Sequence, residues 1–197
     1  MSARHIDPGQ LEWICRPKQF FSSSDKIVLE TEPFTDLRPA GRSAEAIELS
    51  LDTHGSFCFV IRSDFEFRNP FDQCGIIIYE GKDRKAVCGM ECRDAYLSSL
   101  NCIVYYDSKG DISKREIGNR IGTMYYRVWY RGCAVRIQYS FTSSRYLDLR
   151  EFWIDPQENN TISLGIYACS PGNSWFDCTF SGMTLDEDTE RGDSNER

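Results

Sequence analysis

The residue types that could do chemistry gather in a few strand-like stretches. In residues 87–93, Val87, Gly89, Glu91 and Arg93 alternate with Cys88, Met90 and Cys92. Successive side chains of a strand point to opposite faces, so a carboxylate and a guanidinium share one face and small sulfur-bearing residues share the other. That is a face half core and half open, and Glu91 is the candidate acid on it. Asp72 and Gln73 stand just before the apolar run Gly75-Ile76-Ile77-Ile78-Tyr79. There they either bind a ligand or, for the aspartate, bond nearby backbone amides in a turn. In residues 134–140, Arg136, Gln138 and Ser140 alternate with Val135, Ile137 and Tyr139, and Trp129 lies on the preceding strand pattern. Trp129, Trp153 and Trp175 offer ring faces on which a sugar stacks, or else core. The candidate ligand-binding set is Asp72, Gln73, Glu91, Arg93, Trp129, Arg136 and Gln138, expected to line one sheet. For Glu91 the competing reading is a surface strand residue paired across the sheet with Arg93, Arg136 or Lys85.

Other chemistry has weaker support. Asp64 and Glu66 alternate as a carboxylate pair would, but Arg68 follows, and a neighbouring guanidinium lowers a carboxyl pKa, the wrong direction for a general acid. Cys169 precedes Ser170-Pro171 without a nearby base; His54 would have to approach from a distant loop to activate it. There is no glycine-rich phosphate loop. The nine cysteines form no Cys-x-x-Cys pair, and only two histidines accompany them, so we expect reduced, buried thiols and neither metal nor cofactor.

These residues need a scaffold, and composition points to strands. Twelve Phe, ten Tyr and four Trp in 197 residues suit a pleated surface. Short alternating runs recur at residues 26–31, 47–51, 57–67, 100–106, 124–131 and 134–140, with a last pair at 162–168 and 176–185. A helix competes only at 44–51. Many short strands between turn signals predict an all-β sandwich or barrel. We expect a loose arm at 1–10, a single β-sandwich domain at 11–185 and a disordered charged tail at 186–197. A formal charge of −7 argues against nucleic acid and against an anionic membrane. No run is long enough to span a bilayer, and the first ten residues lack the apolar core of a secretion signal, so a cytoplasmic location is expected.

Several motifs occur in a telling order: Trp13 with Pro17, Thr35-Asp36, Asp72-Gln73-Cys74-Gly75-Ile76, Gly89-Met90-Glu91, Gln138-Tyr139-Ser140, Arg150, Gly165 and Ala168-Cys169-Ser170-Pro171. Over about residues 11–185 the chain resembles the uncharacterised proteins grouped with the yeast regulation-of-enolase protein. That resemblance implies a concanavalin A-like jelly roll of two antiparallel sheets. It departs from the family pattern at Leu37 and Arg38, where aromatics are usual, and at Lys85 and Val87, which replace an aromatic and a lysine. Among related folds, retaining glucanases carry a Glu-x-Asp-x-x-Glu strand that sets two carboxyls about 5–5.5 Å apart. This chain has no such strand. The expectation is therefore a module that binds a carbohydrate or sugar-like ligand on its concave sheet. The alternatives are a glycoside-cleaving enzyme using Glu91 and a regulatory protein-interaction module.

Overall fold

A computed structural model of the chain describes residues 3–37, 44–80, 84–106, 109–154 and 161–187. In chain order the strands are β1 (Arg4–His5), β2 (Glu12–Cys15), β3 (Phe20–Ser22), β4 (Lys26–Glu30), β5 (Thr35–Asp36), β6 (Ala44–Glu45), β7 (Ile47–His54), β8 (Phe57–Phe65) and β9 (Gln73–Glu80). They continue as β10 (Arg84–Cys92), β11 (Leu97–Tyr106), β12 (Lys109–Gly118), β13 (Thr123–Arg131), β14 (Ala134–Ser140), β15 (Leu147–Trp153), β16 (Thr161–Cys169) and β17 (Asp177–Asp186). Two antiparallel sheets hold nearly all of them. The first runs β15-β14-β13-β8-β17-β4-β3, with β1 also paired to β17, and the second runs β12-β11-β10-β9-β16-β7-β2.

Alternation decides what lies between the sheets. Phe57, Phe59 and Ile61 of β8, Met124, Tyr126 and Val128 of β13, and Phe180 of β17 are fully buried on the inner face of the first sheet. Ile76 and Ile78 of β9, Cys88 and Met90 of β10, and Leu164 and Ile166 of β16 answer them from the second, in one continuous core. Each large side chain removed from water contributes about 1.5–3 kcal/mol, which is what fixes strand register against a one-residue slip. Ile47–His54 is a strand, its odd-numbered Ile47 and Leu49 turned inward.

Two expectations are corrected, and two further features go beyond what was expected. The arm at 1–10 is built into the fold over its described part: Arg4 and His5 pair with Leu185 and Thr184, Ile6 is 1% exposed, and Asp7 caps the short helical turn Pro8–Gln10. β16 and β17 do not pair with each other; they belong to different sheets. Two strands without an apolar alternation, β12 and β15, form the edges of the sheets on one side. There Arg150 of β15 donates to Ser113 Oγ (2.7 Å) and Asp111 Oδ2 (2.6 Å) of β12, clasping the two edges. Finally, the outer face of the second sheet is not simply open. Leu37 and Ala46, flanking the parallel β5–β6 pair, lie with Ile77, Val87, Tyr167 and Cys169 in a second apolar cluster. Of the charged tail expected at 186–197, residues 188–197 lie outside the described residues, and Asp186 ends β17.

Candidate functional site

The seven candidate ligand residues do not meet. β10 turns Cys88, Met90 and Cys92 into the core, which sends Glu91 to the outer face of the second sheet. β14 turns Val135 and Ile137 inward, which sends Arg136 and Gln138 to the outer face of the first. The full thickness of the sandwich separates them, about 10 Å between sheets alone. A trough shared by Glu91 and Arg136 does not exist.

On the outer face of the second sheet, register lines up two rows. One is Cys169, Gln73, Glu91, Ser99 and Glu116; the next is Tyr167, Gly75, Gly89, Asn101 and Lys114. Glu91 accepts from Arg93 Nη1 at 2.7 Å and from Asn101 Nδ2 at 2.8 Å, and Ser99 Oγ donates to Asn101 Oδ1 at 2.6 Å. The reading of Glu91 as paired with Arg93 thus describes its contacts, and Asn101 is a partner the sequence did not suggest. The two glycines have a geometric reason. A Cβ on Gly75 would sit 2.1 Å from the Cys88 carbonyl oxygen. One on Gly89 would sit 2.3 Å from the Cys74 carbonyl oxygen and 2.5 Å from the Tyr167 hydroxyl. Tyr167 therefore lies across Gly89, toward Asn101. Nearer the covered end of the face, Lys85 Nζ donates to Glu48 Oε1 (3.0 Å) and to the Leu37 carbonyl (3.1 Å), and the Tyr79 hydroxyl donates to Glu48. Burial, with the Glu48 bond second, pushes the Tyr79 pKa far up.

Asp72 is not on this face. It is fully buried, and its Oδ2 accepts from the backbone amides of Arg68 (3.0 Å) and Asn69 (2.9 Å) and from Ser174 Oγ (3.0 Å). It is the turn residue that staples the 66–72 loop to the 170–176 loop. Asn69 Nδ2 donates to the same Ser174 Oγ at 3.0 Å. A second set of bonds ties in the segment after β4. The Thr31 and Ser170 hydroxyls bond each other (2.7 Å), and the Ser170 amide donates to Thr35 Oγ1 (3.0 Å). At this end of the sandwich a cleft of about 790 Å³ is lined by Phe65, Phe67, Arg68, Cys92, Asp94 and Arg120 among others; none of the seven candidates lines it.

The opposite face carries a polar net of its own. Arg136 is bidentate on Asp148 (2.9 and 2.8 Å), Gln138 Nε2 donates to Asp148 (2.7 Å), and Gln138 Oε1 accepts from Arg127 Nε (2.7 Å) and Trp129 Nε1 (3.3 Å). Arg127 also stacks on Tyr146, 4.1 Å from the ring centroid. The three tryptophans make no platform: Trp129 is half-buried here, Trp153 is an exposed residue of edge strand β15, and Trp175 sits in the 170–176 loop under Arg68. Asp64 pairs with Arg62 (2.7 Å) on this face. His54 pairs with Thr161, at the other end of β16 from Cys169, roughly 27 Å away along the strand. Burial pushes the Cys169 thiol well up, the opposite of an activated nucleophile.

The sandwich, its motif order and its sheet pairing place the molecule among the all-β proteins of two layered antiparallel sheets. The profile of the family described as "Protein of unknown function (DUF1349)" matches residues 13–188, and the chain belongs to that family. It is similar to Regulation of enolase protein 1 of Saccharomyces cerevisiae, 24% identical over 196 residues, covering 94% of this chain and 93% of that one. The fold is similar to the crystal structure of a functionally unknown protein from Saccharomyces cerevisiae, with TM-score 0.80, 23% identity and 91% and 97% of the two chains covered. It is also similar to part of the GH43 protein BlXynB of Bacillus licheniformis: TM-score 0.65, 14% identity, 83% of this chain but 33% of that one. Among the described residues no helix is long and apolar enough to cross a membrane.

Proposed function

We propose that the protein is a carbohydrate-binding module whose site is the outer face of the second sheet, at Gln73, Glu91 and Asn101. The observation that carries this reading is the grouping of those side chains on neighbouring strands: Gln73 of β9 lies opposite Glu91 of β10, and Asn101 of β11, one row over, donates to Glu91. An amide, a carboxylate and a second amide, with the Tyr167 hydroxyl over Gly89, match a ligand rich in hydroxyls, each of which both donates and accepts. The Glu91 side chain is 15% exposed and Asn101 is 8% exposed, each partly covered by the hydrogen bonds among Arg93, Glu91 and Asn101. Similarity to a portion of a GH43 chain supports a sugar-directed role for the sandwich itself. Trp129, Arg136 and Gln138 fall outside this site.

Binding is favoured over hydrolysis because both Glu91 oxygens are already engaged, by Arg93 and Asn101. Nine free cysteines, six of them buried, support residence in a reducing cytoplasm. The test is titration calorimetry with a panel of monosaccharides and oligosaccharides, comparing the native chain with Glu91→Gln. Millimolar or tighter binding, weakened at least tenfold in the variant at unchanged melting temperature, supports the site. No heat with any sugar, or equal binding by the variant, refutes it.

A further inference from the structure

Two phenylalanines hold backbone angles that bulky residues avoid, and both keep their rings half in water. Phe34 has φ 60° and Phe71 has φ 75°, and each is 51% exposed. Their own amides pin them there: Phe34 N donates to the Gly172 carbonyl (2.9 Å), and Phe71 N donates to the Cys92 carbonyl (2.8 Å). Glycine or asparagine is the usual occupant of such a position, and neither would expose an apolar ring. Strain of this kind persists only where the surroundings over-determine it, and it concentrates at ligand clamps. Here the surroundings are the hydroxyl and carboxylate staples through Thr31, Thr35, Ser170, Ser174 and Asp72, which lock three loops together. The third loop presents Trp175, 42% exposed, with the Arg68 guanidinium 3.5 Å from its ring centroid.

We infer that Phe34, Phe71 and Trp175 form an aromatic rim that receives successive rings of an extended glycan chain. The inference rests on the carbohydrate reading above and names its ligand class, a chain of several sugar units rather than a free monosaccharide. Three features select that occupant. Phe71 lies two residues before Gln73, whose Nε2 reaches back to the Phe71 carbonyl at 3.5 Å, so the rim is continuous with the polar face. The rings stand on three separate loops beside the Asn69 and Gln73 amides and the Arg68 guanidinium, hydrogen-bonding groups that suit the hydroxyls of a sugar chain. Each sugar unit has an apolar C–H face bordered by hydroxyls, which matches a ring beside a hydrogen-bonding group. The loops are already locked, so little ordering is left to oppose binding.

The experiment compares the full chain with Phe34→Gly, Phe71→Gly and Trp175→Ala. The probes are xylohexaose, cellohexaose, laminarihexaose and maltohexaose beside their monosaccharides, with melting temperature and light-scattering mass recorded for each variant. Glycine relieves the left-handed backbone, so both glycine variants keep or raise the melting temperature while hexaose affinity falls about tenfold or more. Monosaccharide affinity stays as in the native chain. Hexaoses that bind the native chain no more tightly than monosaccharides, or variants that keep hexaose affinity, overturn the rim and leave the carbohydrate reading intact. A native dimer dissolved by Phe71→Gly without loss of sugar affinity also overturns it. Absence of binding by every sugar overturns both together.

Discussion

Tyr167 lies across Gly89, its hydroxyl 2.5 Å from the point a Cβ at that position would occupy. The nearer obstacle is main chain, the Cys74 carbonyl oxygen at 2.3 Å. We therefore expect Gly89→Ala to destabilise by about 3 kcal/mol, as an overpacked site that cannot relax does. Adding Tyr167→Ala should not restore stability, because it clears the hydroxyl and leaves the carbonyl. Chemical denaturation of both variants checks this; recovery in the double variant would show that the tyrosine, rather than the strand backbone, sets the requirement for glycine.

Ile6 measures how firmly the N-terminal arm is held. At 1% exposure, Ile6→Ala should cost about 2–5 kcal/mol, the range for a large core deletion. A loose arm would give a change within about 0.5 kcal/mol. Thermal unfolding distinguishes the two.

The Arg150 clasp is asymmetric. Its side chain is 14% exposed, while that of its partner Asp111 is 68% exposed. Removing Asp111 leaves a guanidinium that still bonds Ser113, so Asp111→Ala should cost under about 1 kcal/mol. Arg150→Ala removes the hydrogen bonds to both partners and the packed stem and should cost about 1–3 kcal/mol, with Arg150→Met recovering part of that through its stem. Urea titrations of the three variants give the ranking.

Acid should loosen the outer net of the first sheet. Hydrogen bonds from Arg136, and next from Gln138, hold the Asp148 carboxyl below its ordinary range. A lowered folded pKa means that the stabilisation is complete above the unfolded value of about 3.9 and is lost as pH falls through the folded one. With 58% of its side chain exposed, Asp148 contributes only a few tenths of a kcal/mol. Melting temperatures from pH 2 to 7 should therefore show a slightly flatter acid limb for Asp148→Asn, the difference between the chains shrinking as pH falls.

Much of the fold is legible in the sequence because its central strands carry strict alternation, as in Phe57, Phe59 and Ile61. β12 and β15 escape notice because edge strands bury little; in β12, Lys114, Arg115 and Glu116 occur in a row, a pattern that also deters pairing with other chains. The site is harder to read. Alternation shows that Glu91 and Arg136 each point away from core, but it carries no information about which sheet each strand joins. Nor does it show that Leu37 and Ala46 cap part of one outer face, or that Asn101 stands beside Glu91. Phe34 and Phe71 are missed because a phenylalanine at positive φ is one that sequence preferences argue against.

β17, late in the chain, is interior to the first sheet, hydrogen-bonded to β8 on one side and to β4 and β1 on the other. A nascent chain still on the ribosome before Asp177 emerges has two half-sheets with facing raw edges and nothing to join them. Closure of the first sheet thus waits on β17, and until it pairs the open edges of β8 and β4 are exposed to wrong partners.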